Sequence, residues 1–269
     1  MADGFVLTAD NYYSKEADKH YMSVHQYLSM VGHFGICGCE AKAMAKLHGE
    51  WQEETTLAML VGSYVDSYFE GTLEQFKAGH PDCFTQKGEL KAPYKRAERM
   101  IARCEEDDFF MQTLSGEKQK IMTGYLFGCE WKIKMDSYIP HTAIVDLKTS
   151  ADIHKAWKVA DYGTCSFVSF WAYDLQLAIY QKIVEINTGE KLPCYISVVT
   201  KEDTPEIAVI NLDQQRMNHL LNEVEMNMPS VLAVKNGEAE PIRCEHCDYC
   251  KATKVLTGPI SEEELYWSE

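Results

Sequence analysis

The segment from Trp131 to Ser150 limits what this chain can fold into more than any other. Trp131, Ile133 and Met135 alternate with Lys132, Lys134 and Asp136, the period-two pattern of a strand with one wall in the core. A second alternating run, Thr142 to Thr149, sets Ile144, Asp146 and Lys148 on a common face. Between the runs lies Tyr138-Ile139-Pro140-His141, and Pro140 cannot continue a central ladder. The chain is therefore expected to reverse there as a hairpin, which brings Asp136 beside Asp146.

Two carboxylates held together repel, and in a dry core the pair must protonate or find a cation. A divalent ion that prefers hard oxygen ligands, Mg²⁺ or Mn²⁺, resolves the conflict and leaves room for water and a substrate phosphate. Lys148 would then stand where it can hold or deprotonate an attacking water. The plainer reading makes Asp146 and Lys148 a charged pair on a solvated strand face, and the rest of the chain decides between the two.

With 269 residues, 46% of them hydrophobic and 25% charged, the chain is composed like a soluble globular protein with material for one large or two modest cores. Met1 to Asp10 lacks a basic start and a sustained apolar run, and no later stretch is long enough to span a bilayer, so a cytoplasmic protein without membrane association is expected. Ten cysteines in that setting point to reduced thiols or metal ligands. A net charge of −15 counts against a nucleic-acid partner. The acid is unevenly spread, however, with clusters at Glu50–Glu54, Glu105–Asp108 and Glu262–Glu264. Lys132, Lys134 and Lys148 share the two site strands, so a local basic channel is expected there.

In chain order, a helix over Ser23–Val31 opens on a capping box of Ser23 and Gln26. Gly32, Gly35 and Gly38 are expected to loosen the chain around Cys37 and Cys39, and a second helix begins near Glu40. Leu57, Leu60, Val61, Tyr64, Val65 and Tyr68 predict a helix over 52–69, within which Gly62 hints at a close approach and Asp66 lies on the same side. Further short helices are read over Tyr94–Cys104 and Asp108–Leu114, and a weak strand over Lys118–Leu126. A long helix follows over Phe167–Ile186, with Tyr173, Gln176 and Tyr180 on one side, then strands over Pro193–Lys201 and Glu206–Leu212 and a helix capped by Asp213. The tail carries Cys244, Cys247 and Cys250, which can converge on one metal with Cys39 or Cys37 as a fourth thiolate.

Together, Gly62 with Asp66, Asp136, Asp146-Leu147-Lys148 and Gln176 with Tyr180 resemble the ordered motifs of the PD-(D/E)XK nuclease superfamily in its RecB/lambda-exonuclease branch, nearest to RecE-type exodeoxyribonuclease VIII proteins of phages and prophages. The resemblance runs from about Ser23 to Cys250. It implies an α/β, restriction-endonuclease-like mixed sheet flanked by helices. One nuclease domain would then occupy 1–269, divided into an N-terminal helical segment (1–50), a core (52–235) and a Cys-rich tail (236–269). It implies further that Asp136 and Asp146 ligate Mg²⁺, that the Leu147 carbonyl adds a ligand, and that Lys148 orients or activates water. Gln176 and Tyr180 would organise the site and touch DNA. Asp66 stands where related nucleases often carry His, and would serve as a harder metal ligand. Cys39, Cys244, Cys247 and Cys250 resemble the four-iron staple of AddB-like nucleases, although the last interval is shorter here; an iron–sulfur cluster, a zinc ion and no metal all remain open. The implied activity is exonucleolytic hydrolysis at double-stranded DNA ends, in concert with a single-strand annealing protein in phage-type recombination, with homo-oligomers among relatives. A single-strand-specific or nicking endonuclease and an inactive DNA-end-binding scaffold are the competing functions.

Overall fold

A computed structural model describes residues 5–262. Its strands are β1 (Glu117–Leu126), β2 (Cys129–Ile139), β3 (Ala143–Ser150), β4 (Trp157–Val159), β5 (Gly163–Cys165), β6 (Cys194–Thr200) and β7 (Ile207–Asn211). Five of them form one mixed sheet in the order β1-β2-β3-β6-β7, while β4 and β5 make a small separate hairpin. Among the described strands only β3 and β6 are parallel, and that central pair is buried over most of its length, as expected for strands covered on both faces.

The helices are α1 (Lys15–His20), α2 (Val24–Val31), α3 (Glu40–His48), α4 (Leu57–Glu70), α5 (Leu73–Gly79), α6 (Ala92–Glu105), α7 (Asp108–Thr113), α8 (Phe167–Phe170), α9 (Tyr173–Thr188), α10 (Gln214–Lys235) and α11 (Asp248–Ala252). They cover the sheet in two layers. One core joins Ile144, Ile196 and Val198 to α2, α9 and α10, and the other joins Val145, Leu147 and Val199 to α4, α6 and α7. The result is the α/β, restriction-endonuclease-like architecture expected, with the hairpin of β2 and β3 turning at Pro140. No helix among the described residues is long and apolar enough to cross a membrane.

The chain departs from the sequence expectation in four places. The helix over 167–186 is broken, because Ala172 adopts a left-handed backbone (φ 58°) between α8 and α9. Nothing in an alanine foretells this, since it is the best helix former. The break lets Ser169 and Arg216 both reach the Asp174 carboxylate. The capping box is only half made: Ser23 Oγ accepts the Gln26 N–H at 3.3 Å, but the Gln26 amide donates to the carbonyls of Asp18 and Tyr21. Gly35 and Gly38 tighten the chain instead of loosening it. A Cβ on Gly38 would stand 2.5 Å from the Val31 carbonyl carbon, and one on Gly35 would stand 2.3 Å from the Phe170 ring. The fourth departure is at the N-terminus of α4, which starts at Leu57 on a Thr56 cap, five residues after the expected start at Gln52. Of the acidic cluster at Glu262–Glu264, only Glu262 lies within the described residues.

Candidate active site

β2 and β3 pair only beside their turn, with Ser137 opposite Val145, Tyr138 opposite Ile144 and Ile139 opposite Ala143. Beyond Ser137 the strands part, where continuing the register would set Asp136 against Asp146. Farther along, the freed edge of β2 is taken by the N-terminal arm: Met22 N–H donates to the Glu130 carbonyl at 2.7 Å, and Lys132 N–H donates to the Met22 carbonyl at 2.9 Å. The gap between opens into a cleft of about 560 Å³.

Asp66, Asp136, Asp146, Leu147, Lys148, Gln176 and Tyr180 all line this cleft. Where a ladder bond would run, the Leu147 N–H donates to Asp136 Oδ2 at 2.9 Å. Asp146 is 2% exposed, and its Oδ1 accepts from Gln176 Nε2 at 2.8 Å. Its Oδ2 makes no hydrogen bond and has the Lys148 ammonium against it as an ion pair. Burial pushes the Asp146 carboxyl up to about 7, Lys148 opposes this, and Asp136 adds to it. Burial and then Asp136 raise Asp66 well above the ordinary carboxylate range. Burial alone would lower Lys148, but Asp146 and Asp136 outweigh it and hold the ammonium charged. Lys148 Nζ also lies 4.8 Å from the centroid of the Tyr173 ring.

α4 brings Asp66 to the site by packing closely on β3. A Cβ on Gly62 would stand 3.2 Å from Thr149 Oγ1, so the glycine permits the approach that its place in the helix suggested. Lys132 corrects the expected basic channel: its side chain is 2% exposed and its ammonium is bound to Asp18 Oδ1 at 2.7 Å and to the Tyr12 carbonyl. Among the cleft residues that sequence reasoning missed are Glu70, Gln119 and His25. Glu70 follows Asp66 by one helical turn and was legible on that ground. Gln119 was not, because its role depends on a left-handed backbone (φ 51°) inside a strand, from which Nε2 donates to Asp136 Oδ1 at 3.2 Å. Burial and then Lys148 lower the His25 pKa, which favours the neutral ring.

Away from the cleft, the sulfurs of Cys39, Cys244, Cys247 and Cys250 all lie within 4.8 Å of one another. Cys39 caps α3, so the cluster ties the first part of the chain to the tail. Burial would raise the Cys244 thiol, yet the main-chain N–H groups of His246 and Cys247 donate to its sulfur and bring it down to about 6. All ten cysteines are free thiols. A thiolate stabilised within a four-sulfur cluster is a donor set that suits a soft or borderline metal. Cys37, the other candidate, is exposed and approaches only Cys244, at 4.0 Å.

A mixed sheet that splays to set carboxylates and a lysine around one cleft, with helices on both faces, defines a PD-(D/E)XK-like nuclease. The chain belongs to the family described as PDDEXK-like domain of unknown function (DUF3799), whose model matches residues 23–253. It is similar to the crystal structure of a provisionally named exonuclease from Eubacterium rectale, at 55% identity over 97% of this chain and 98% of that one, with a TM-score of 0.95. A second solved structure, SSO0001, is 16% identical over 67% of this chain and 80% of its own; its TM-score of 0.27 carries no argument. No curated protein matches the sequence.

Proposed function

We propose that this protein is a divalent-metal-dependent exonuclease that hydrolyses phosphodiester bonds from the ends of double-stranded DNA. The observation that supports this best is the convergence of Asp66, Asp136 and Asp146 with Lys148, an excess of carboxylate over cation that a Mg²⁺ or Mn²⁺ ion would balance. The donors fit such an ion, being hard oxygens, and at Asp146 Oδ2 it would compete with the Lys148 ammonium. When bound, the ion would polarise the scissile phosphate and lower the pKa of a water. Asp136, Asp146 and the Leu147 carbonyl are its proposed ligands, joined by Asp66.

Gln176 holds Asp146 by one oxygen and leaves the other to the Lys148 ammonium. The charged Lys148 ammonium suits the orientation of a water and contact with the phosphate, more than the removal of a proton. Tyr180 lines the cleft beside them. Cys39, Cys244, Cys247 and Cys250 hold a separate structural centre, iron–sulfur or zinc, which absorbance in the blue and metal content tell apart. Preference for duplex ends and cooperation with a single-strand annealing protein follow from the RecE-type resemblance. The likeness to a provisionally named exonuclease supports the exonuclease reading.

The test is digestion of linear and covalently closed duplex DNA with Mg²⁺ by the wild type, Asp146→Ala and Lys148→Ala. Mononucleotide release from linear duplex alone, abolished in both variants, is expected. Linearised circles would replace this reading with a nicking endonuclease, and an inert wild type that still binds ends would replace it with a scaffold.

A further inference from the structure

We infer that Tyr13, presented by the N-terminal arm at the mouth of the cleft, is a stacking platform for an unpaired nucleobase of the strand entering the site. This rests on the nuclease reading above. The family match begins at residue 23, yet Tyr12, Tyr13 and Asp18 line the same cleft as Asp136 and Asp146. Tyr13 is 75% exposed, whereas its neighbour Tyr12 is 8% exposed. Tyr13 thus presents its ring to solvent where the cleft opens.

The ring is held, not loose. It meets Tyr12 edge-on at a centroid distance of 5.0 Å, and Lys134 Nζ stands 4.5 Å from its centroid. Two lysines fix the backbone beneath it: Lys132 donates to the Tyr12 carbonyl, and Lys235 donates to the carbonyls of Asp18 and Tyr21, each at 2.8 Å. A buried and a half-buried ammonium thus fix an arm that turns the Tyr13 ring outward, with the Lys134 ammonium over the ring and most of its surface open to solvent. Such a pair recognises a planar aromatic group next to an anion, which is the chemistry of a nucleotide. Stacking also suits a chain of net charge −15, because it holds a base without relying on phosphate neutralisation. Bases inside a duplex have both faces covered by their neighbours, whereas an unpaired base in a single-stranded stretch at the DNA end offers its face freely, and that stretch is the ligand.

The experiment measures binding of a duplex with a short single-stranded overhang to full-length Asp146→Asn protein, alone and combined with Tyr13→Ala or Tyr13→Trp, by fluorescence anisotropy at two salt concentrations. A matched duplex with abasic sites in the overhang is the second probe. Base stacking on one ring is worth roughly 5- to 150-fold in affinity, so Tyr13→Ala is expected to weaken overhang binding by about 10-fold at both salts. Tyr13→Trp should preserve it, and the abasic overhang should bind equally with and without the tyrosine. Equal affinity of Tyr13→Ala for the intact overhang, or a loss that persists on the abasic one, would overturn the inference. Hydrogen exchange across residues 12–21 must stay unchanged in Tyr13→Ala; release of the arm would make the ring a structural residue and also count against it. If wild type cleaves DNA while these binding differences are absent, only the platform fails. If it neither cleaves nor binds DNA, the nuclease reading fails with it.

Discussion

Replacing Asp18 should cost more stability than replacing Lys132, although the two form one ion pair. Lys132 Nζ lies 2.7 Å from Asp18 Oδ1, and the lysine side chain is 2% exposed against 35% for the aspartate. Lys132→Met takes a charge out of a dry strand and leaves an aspartate that can turn to water. The loss is then confined to hydrogen bonds and partly offset by relieved desolvation, about 1–2 kcal/mol. Asp18→Ala strands the ammonium without its counter-charge, for which about 3–5 kcal/mol is typical. Urea unfolding of the single variants and of Asp18→Ala with Lys132→Met measures all of this, and the double variant should resemble Lys132→Met alone. Equal single effects, or a double variant that loses the sum, would refute the reasoning.

Gln176→Ala leaves Asp146 without its 2.8 Å donor, and cleavage should fall by about 100-fold while Tm moves little, read from initial rates and thermal melts. Chelation of divalent ions should weaken DNA binding as well as stop cleavage, measured by anisotropy with EDTA. Gly62→Ala in a Thr149→Ala background should stabilise by about 0.5–1 kcal/mol, because helix propensity favours alanine once the 3.2 Å neighbour is gone; in wild type that gain should be absent. Burial opposes ionisation of Glu53, but Lys46 and Lys42 bind it and hold it at about 2. Its folded pKa is thus below its unfolded one, so the contribution is present above about pH 4.5 and lost as pH falls toward 2. The difference in melting between wild type and Glu53→Gln should disappear over that window.

What the sequence disclosed is what depends on period and order. Alternation around Pro140 located the hairpin and paired Asp136 with Asp146, and helical spacing put Gly62 and Asp66 on the stripe that reaches them. What it hid depends on where the chain leaves regular geometry. Ala172 breaks a helix and Gln119 bends a strand with left-handed backbones that neither residue type advertises. The glycines around Cys37 read as flexibility, whereas they serve close packing on Val31 and Phe170, a distinction only the partners reveal. The arm before Ser23 carried no periodic signal, because it is held by lysines distant in sequence, Lys132 and Lys235.

The fate of Lys132 changes the argument about charge. Four lysines line the cleft, but Lys46 is paired with Glu53, Lys132 with Asp18 and Lys148 with Asp146, which leaves Lys134 among the tyrosine rings. Against them stand five acids, Asp18, Asp66, Glu70, Asp136 and Asp146. Three of the four ammonium groups are thus already taken by carboxylates, so a phosphate entering this cleft finds little free positive charge and a basic channel is not what draws DNA in. On the proposed function, attraction comes from a bound divalent ion that adds positive charge and from contacts that carry no charge. The acidity that counted against a nucleic-acid partner is, in that proposal, a reason for binding to be contingent on metal, because the carboxylates that take up the lysines would also recruit the ion that receives the phosphate.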